Sequence, residues 1–477
     1  MRVKGIFGIV LPLLVLAALT ASGVGAQGGT WVSGVSILNP NPTAAQVTLD
    51  FYSADTAGAV YSFSDTIPAN SQKTWYIPSL TGVPDGFLGS VVVSSDQLVQ
   101  AIVNTQVPTT GTGTTSNPNR VGTSSAVNTP APQMYAPQVM REYYGWNSYL
   151  AVQNAGSSSA PVTVEIYDST GALVDTEVVT IPAYSMHLFR QADNTALGSS
   201  FVGSAKITSA ENIAVVCNFY NASTDYTTAQ FHSYNGFPGG ATTLYVPRLV
   251  KDYYNYQSGL KVQNVGSANT TVTVTYYFGG ATYTQTSPTI GPNQAWGPYL
   301  GAESQLPGTM AGLSGSGSAI ITSSGGVPIV AIINEDNRVD PAGRGITYNA
   351  FLSGEETNTA VFPQVTSKYY GYSSGLQIQN VGTTGTATLS VTYSMSGRSD
   401  VTLTGISVAE GASWSMFTPN VDDINAAFND TDFNGSAVVT ANKPIVGIAN
   451  LSFRADVDPR YGVNYGDSFT TYNGFNQ

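Results

Sequence analysis

The chain is short of charge. Only 10% of its 477 residues are Asp, Glu, Lys or Arg, against about 25% in an average soluble domain. The 17 Lys and Arg are scattered rather than striped, and the formal net charge is −12. Nucleic-acid binding rests on neutralising phosphates, so no nucleic-acid partner is expected. One cysteine, Cys217, excludes a disulfide framework. It lies in the apolar run IAVVCNFY and reads as a small core residue. The two histidines, His187 and His232, stand in no metal-spaced pair. Beyond the N-terminal segment no apolar run reaches the ~20 residues of a membrane span, so no transmembrane segment is expected in the mature chain. No long stretch of helical periodicity is present either.

What is abundant is turn and strand chemistry, with 50 Gly, 25 Pro and 28 Tyr. Tyr, Val and Thr favour pleated, half-buried strands. The N-terminus combines Arg2 and Lys4, an apolar run from Ile6 to Leu19, and the small residues Val24-Gly25-Ala26. This is the pattern of a secretory signal peptide over residues 1–26, removed after Ala26. The expected location is extracellular or at the cell surface.

One line of sequence occurs four times: GSVVVSSDQLVQAIVNTQ from Gly89, GSAKITSAENIAVVCNFY from Gly203, GSAIITSSGGVPIVAIINE from Gly317 and GSAVVTANKPIVGIANLSF from Gly435. The spacings are 114, 114 and 118 residues. Solenoid units run about 20–50 residues, so a repeat this long is a whole domain. Further matches surround it. An Asn turn recurs at Asn39, Asn154, Asn264 and Asn380. An alternating strand follows in each copy (VTLDFY, VTVEIY, VTVTYY, LSVTYS), then a corner such as IPANS or IPAYS. A short crossover of helical character, NVDDINAAF in the fourth copy, precedes the Gly-Ser strand. The last strand carries SYNGF, TYNAF or TYNGF. Seven or eight short strands in ~110 residues, with frequent turns, predict an all-β fold of four tandem immunoglobulin-like antiparallel β-sandwich domains. Their boundaries fall at 27–135, 136–245, 246–361 and 362–477.

The joints repeat as APQVMREYYGW, VPRLVKDYYNY and FPQVTSKYYGY. Proline there suits an edge strand or an extended linker. Joints without Gly-Ser linkers predict domains stacked as a rod. The polar stretch VPTTGTGTTSNPNRVGTSS, residues 107–125, reads as a long mobile loop of the first copy. The first copy lacks the joint motif and the fourth ends at TYNGFNQ, which suggests head-to-tail contacts between terminal domains. Trp31 at one end with Tyr472 and Phe475 at the other are the residues expected at that contact.

No constellation for catalysis emerges. GYSSG at Gly371 matches a nucleophile-elbow pattern, but Ser373 lies in a joint and no His follows it. No cofactor is expected, and calcium is the one metal left open. Its candidate ligands are Asp456, Asp458 and Asp467 in the fourth copy and Asp336 and Asp340 in the third. Arginines among these acids make ion pairs the alternative. The aromatic joints, Tyr143, Tyr144 and Trp146, Tyr253, Tyr254 and Tyr256, then Tyr369, Tyr370 and Tyr372, are candidates for stacking on pyranose rings or for domain packing. Sequons occur at Asn221, Asn269, Asn429, Asn434 and Asn450.

The combination YYGWNSYLAVQNAG, IPAYS, FVGSAKITSAENIAVV and SYNGF resembles a class of secreted bacterial tandem-repeat surface proteins with β-sandwich modules. The resemblance covers the mature chain and implies an extracellular location, but it carries over no catalytic residue. The expected function is therefore non-enzymatic: a subunit of a surface layer, sheath or filament, assembling as a head-to-tail homopolymer. The alternative is a cell-surface adhesin binding glycan through its aromatic joints.

Overall fold

A computed structural model describes residues 12–15, 31–107, 113–221, 223, 225–339, 342–428 and 432–477. Every strand ladder among them is antiparallel, and the fold is all-β. Repeat 3 shows the plan most plainly. One sheet runs Ala281–Thr286, Val272–Phe278, Gly315–Ser323, Thr243–Lys251, Phe351–Leu352; the other runs Ala295–Trp296, Gln257–Asn264, Ile329–Val339, Ala342–Asn349. In repeats 2 and 4 the Gly-Ser strand and its successor are continuous, Phe201–Asn221 and Phe433–Phe453, and join both sheets. The expected helical crossover is a single turn and a half, Asp422–Ala427, with Asp422 and Asp423 in its first turn.

Alternation places the core. Val272, Val274, Tyr276 and Phe278 point inward while the residues between them do not. Each such side chain contributes roughly 1.5–3 kcal/mol on full burial. The repeated Asn closes its turn. Asn154 Nδ2 donates to the carbonyls of Ser158 (2.7 Å) and Ile181 (3.0 Å), and its Oδ1 accepts from Gly156 N (2.9 Å). Asn39, Asn264 and Asn380 do the same.

The Gly-Ser pair joins one repeat to the next. A Cβ at Gly89, Gly203, Gly317 or Gly435 would collide with the carbonyl oxygen of Tyr52, Tyr167, Tyr277 or Ser394, so only glycine fits. The adjacent serine donates to the corner of the following repeat: Ser90 to Tyr184 O (3.2 Å), Ser204 to Asn293 O (2.6 Å) and Ser318 to Gly411 O (2.7 Å).

The repeats close into a ring. The innermost strands, Arg120–Ser125, Gln230–Asn235, Ala342–Asn349 and Phe469–Asn473, pack each on the next and the last on the first. A circuit of hydrogen bonds follows them. Asn235 Nδ2 donates to Ser125 O (3.0 Å), Asn349 to Asn235 O (2.7 Å), Asn473 to Asn349 O (2.7 Å), and Ser125 Oγ to Asn473 O (3.1 Å). This corrects the expected rod. The Asn of each of the three Y-N-(G/A)-F motifs makes an inter-repeat contact, and Ser125 makes the fourth that returns the circuit to its start.

Two further expectations change with it. Residues 113–125 of the long polar stretch of repeat 1 are ordered, and residues 108–112 lie outside the described residues. Asn119 N donates to Tyr465 O (2.8 Å), Gly113 N to Asn464 Oδ1 (2.5 Å), and Arg120–Ser125 is the inner strand itself. Its polar groups are satisfied across the joint of repeats 4 and 1, which a reading of apolar content does not register. The terminal contact residues are also enclosed. Trp31 is 6% exposed against Phe231, Tyr472 is 2% exposed, and Phe475 is 8% exposed. The ring uses these side chains internally and leaves them no face for a second subunit.

Candidate functional site

At the centre of the ring lies Asp467, fully buried. Its carboxylate accepts from Phe231 N (3.1 Å) of repeat 2, Gly345 N (3.1 Å) of repeat 3 and Phe469 N (3.2 Å) of repeat 4. Its own backbone completes the set. Asp467 N donates to Asn119 O (2.7 Å) of repeat 1, and Asn119 Nδ2 donates to Asp467 O (2.6 Å). One residue thus touches all four repeats. His232 Nε2 lies 3.8 Å from Asp467 Oδ2, with the Trp146 ring tilted against the imidazole at 4.9 Å. Burial raises the carboxyl well above the ordinary aspartate range, against the opposing pull of the three N–H donors and Arg344.

The other candidate calcium ligands lie apart from it. Asp456 pairs with Arg454 (2.8 Å), and Asp458 with Arg460 (2.8 Å), which also holds Asp432 (3.0 Å). These arginines hold both Asp456 and Asp458 below the usual carboxylate range. Asp336 lines a separate cleft, and Asp340 falls outside the described residues. Among the described residues no three His, Cys, Asp or Glu side chains gather as a metal site. In the repeat 4 loop the acids and arginines form ion pairs, the alternative that their interleaving suggests.

The joints split their aromatics by position. Each follows the pattern acid or lysine, Tyr, Tyr, Gly or Asn, and folds into a tight turn with left-handed residues. These are Glu142 (φ 52°) and Tyr144 (50°), Asp252 (47°) and Tyr254 (50°), Lys368 (54°) and Tyr370 (49°). The first tyrosine of each pair is half-buried. The second stands out at 78%, 77% and 65% exposure for Tyr144, Tyr254 and Tyr370, edge-on to the first at 4.7–4.8 Å. The third aromatic turns inward. Trp146 is buried, and Tyr256 and Tyr372 pack on Phe469 and Phe453.

Two of the three turns overhang clefts. Tyr143, Tyr144 and Trp146 of repeat 2 face Lys261, Tyr299 and Asp336 of repeat 3 across about 640 Å³. Tyr369, Tyr370 and Tyr372 of repeat 4 face Tyr76, Asn104 and Gln106 of repeat 1 across about 610 Å³. At the third joint Arg454 lies over the Phe417 ring (5.5 Å) and beside Tyr254 and Tyr256. There Arg248 forks onto Glu335 at 2.7 and 2.8 Å. Both open clefts present aromatic faces beside hydrogen-bonding groups, the chemistry that suits a sugar ring.

The remaining residues take structural places. Ser373 is buried and its Oγ accepts from Lys368 N (3.0 Å). His187 Nδ1 meets Asp55 Oδ1 at 2.7 Å. Cys217 is a buried free thiol whose pKa is pushed up by desolvation. Of the sequons, Asn221 and Asn450 are buried, Asn269 and Asn434 reach the surface, and Asn429 lies outside the described residues. The reading of single copies missed the inter-repeat roles of Ser90, Ser204 and Ser318. The signal was present in their recurrence beside an obligatory glycine. Among the described residues no helix is long and apolar enough to cross a membrane.

No family model matches the sequence, and no curated protein matches it. Among solved structures, a Thermotoga maritima protein aligns with 24% of this chain and 96% of its own, at 16% identity and TM-score 0.20. A variant of the major pilin of Streptococcus pyogenes aligns with 82% of this chain and 98% of its own, at 10% identity and TM-score 0.13. Bacteroides uniformis β-glucuronidase aligns with 46% of this chain and 25% of its own, at 12% identity and TM-score 0.11. Superpositions this distant carry no argument about function.

Proposed function

We propose that this chain is a secreted, non-catalytic structural protein of the bacterial surface, a closed ring that serves as a subunit of a layer, sheath or filament. The observation behind this reading is where the repeated residues go. The Asn turn closes each repeat on itself, and the Gly-Ser entry and the Y-N motif make contacts that join one repeat to the next. Recurrence in this sequence therefore tracks rigidity. Subunits of this kind meet through outer faces, since the terminal domains are used in closing the ring. Electron microscopy of the purified chain tests the reading. Ring-shaped particles that associate into ordered arrays as concentration rises are expected. Isolated particles at every concentration would count against a layer or filament subunit.

A second reading, glycan binding, is favoured by one feature. Tyr144, Tyr254 and Tyr370 keep a strained backbone while mostly exposed, and strain retained without packing is a mark of functional positions. In this reading the two open clefts each seat a sugar against a tyrosine face. A glycan array with the wild type and with Tyr144→Ala/Tyr370→Ala decides it: binding lost in the double variant supports it, and equal binding removes it.

A further inference from the structure

The outer edge of repeat 1 is built differently from the other three. In repeats 2, 3 and 4 the first half of the Gly-Ser strand is covered by a lead-in strand from the preceding joint: Ala131–Arg141, Thr243–Lys251 and Thr357–Ser367. No joint motif of this kind stands among residues 1–30. The Gly-Ser strand of repeat 1, Gly89–Ser95, is covered by Pro12–Val15, with Leu14 opposite Val92 and Val15 opposite Val91. In repeat 2 the equivalent pairs are Tyr135 with Lys206 and Ala136 with Ala205, so the register is the same. The covering segment lies inside the stretch that reads as a signal peptide.

A second observation concerns the same place. In the lead-ins of repeats 2 and 4 the glutamine after the proline reaches the next repeat, whereas repeat 3 has Arg248 there, paired with Glu335. Gln138 Oε1 accepts from Asn334 Nδ2 (2.9 Å), and Gln364 Oε1 accepts from Asn104 Nδ2 (2.7 Å). Asn218 is the equivalent asparagine of repeat 2, fixed by Ser233 as Asn334 is by Thr347. It is 3% exposed, and its Nδ2 has no hydrogen-bond partner. A buried amide donor is rarely left unpaired. The group that would pair it is the glutamine of a lead-in strand for repeat 1, and residues 1–30 hold no Pro-Gln step. The tyrosine that clamps such strands is missing too. Tyr234, Tyr348 and Tyr472 donate to the carbonyls of Gln138, Arg248 and Gln364, whereas repeat 1 has Ser124.

From these we infer that removal of residues 1–26 turns repeat 1 into a strand acceptor. It takes an extended partner segment of lead-in chemistry, with alternating apolar residues and a Pro-Gln step. The donated strand hydrogen-bonds antiparallel to Gly89–Ser95, covers Val91 to Val93, and presents its glutamine to Asn218. An uncovered edge backed by apolar residues is a ready template for pairing. Before processing, the N-terminal segment occupies the edge and keeps it closed. This inference rests on the secreted reading through that cleavage.

Two measurements keep the premises apart. The N-terminal sequence of the exported protein reports whether cleavage occurs after Ala26, whatever the acceptor does. The acceptor is tested on the processed chain and on the full chain with a synthetic peptide of residues 357–370, the repeat 4 lead-in. The expected result is saturable binding to the processed chain alone. Amides of 89–95 should then become protected from hydrogen exchange. Changing the peptide's Pro-Gln to Pro-Ala, or Asn218→Leu in the protein, should remove most of the benefit of the Gln–Asn pair, a drop of about tenfold. Oligomers of the processed chain that dissolve on adding the peptide would support the inference with a second copy as donor. No binding to a folded processed chain, or equal binding to both chains, would overturn it.

Discussion

Repeats 1 and 2 share a sandwich but differ at one edge, and the difference explains several residues at once. Repeat 2 has its lead-in strand, and the Tyr234 hydroxyl grips that strand at the Gln138 carbonyl (2.6 Å). Repeat 1 lacks the joint motif, has Ser124 in place of the tyrosine, and leaves Asn218 of its neighbour without a partner. Strand and tyrosine clamp occur together in repeats 2, 3 and 4, and a glutamine accompanies them in repeats 2 and 4. The comparison shows that the lead-in strand belongs to the sheet of the repeat it introduces, and is not a linker.

The largest test of ring closure is Asp467→Ala. It strands the N–H groups of Phe231, Gly345 and Phe469 in the interior. At about 1–3 kcal/mol for each unsatisfied buried group, a loss of at least ~3 kcal/mol is expected by denaturant titration. An unchanged midpoint would mean that the axis does not hold the repeats. Close behind comes Trp31→Ala, which empties a buried space against Phe231 and should cost about 3–5 kcal/mol. Its effect on folding separates this reading from a surface role for Trp31.

The clamp comparison is smaller and sharper. Tyr234→Phe or Tyr472→Phe removes one hydroxyl bonded to a lead-in carbonyl and is expected to cost about 0.5–1.5 kcal/mol. Ser124→Ala at the same place in repeat 1 should stay within about 0.5 kcal/mol. Equal losses in thermal melts of all three variants would break the distinction between repeat 1 and the rest.

The pH dependence of closure has a definite sign. The folded Asp467 carboxyl sits above its unfolded value of about 3.9. Its contribution is therefore fully present below that value and is lost as pH rises through the folded one. Wild-type stability relative to Asp467→Asn should fall as pH rises from acidic toward neutral. A difference that rises instead would show that the N–H donors and Arg344 outweigh burial. Smallest of all is Tyr370→Gly, which relieves a left-handed tyrosine. It should leave stability unchanged or raise it by up to ~1 kcal/mol while weakening any glycan retention.

Much of the single repeat was legible. Strict alternation in VTVTYY identified a half-buried strand because the pleat has period two, and the recurring Asn and Pro marked turns. The candidate sites were less legible. Tyr143, Tyr144 and Trp146 look alike in sequence, yet one is half-buried, one exposed and one enclosed, since the left-handed turn reverses direction within three residues. Asp467 looked like its neighbours Asp456 and Asp458, but those meet arginines while Asp467 is carried to the axis by the strand that follows it.

The sequence alone determined the all-β sandwich and the copy number of its motifs, because strand patterning and turn chemistry act within a few residues. Whether the copies extend or close was decided only in the tertiary structure. Closure depends on Asn235, Asn349, Asn473 and Ser125 each finding a carbonyl in the adjacent repeat. Such bonds join residues more than a hundred positions apart. Their geometry exists only once four twisted sandwiches have turned the chain back on itself.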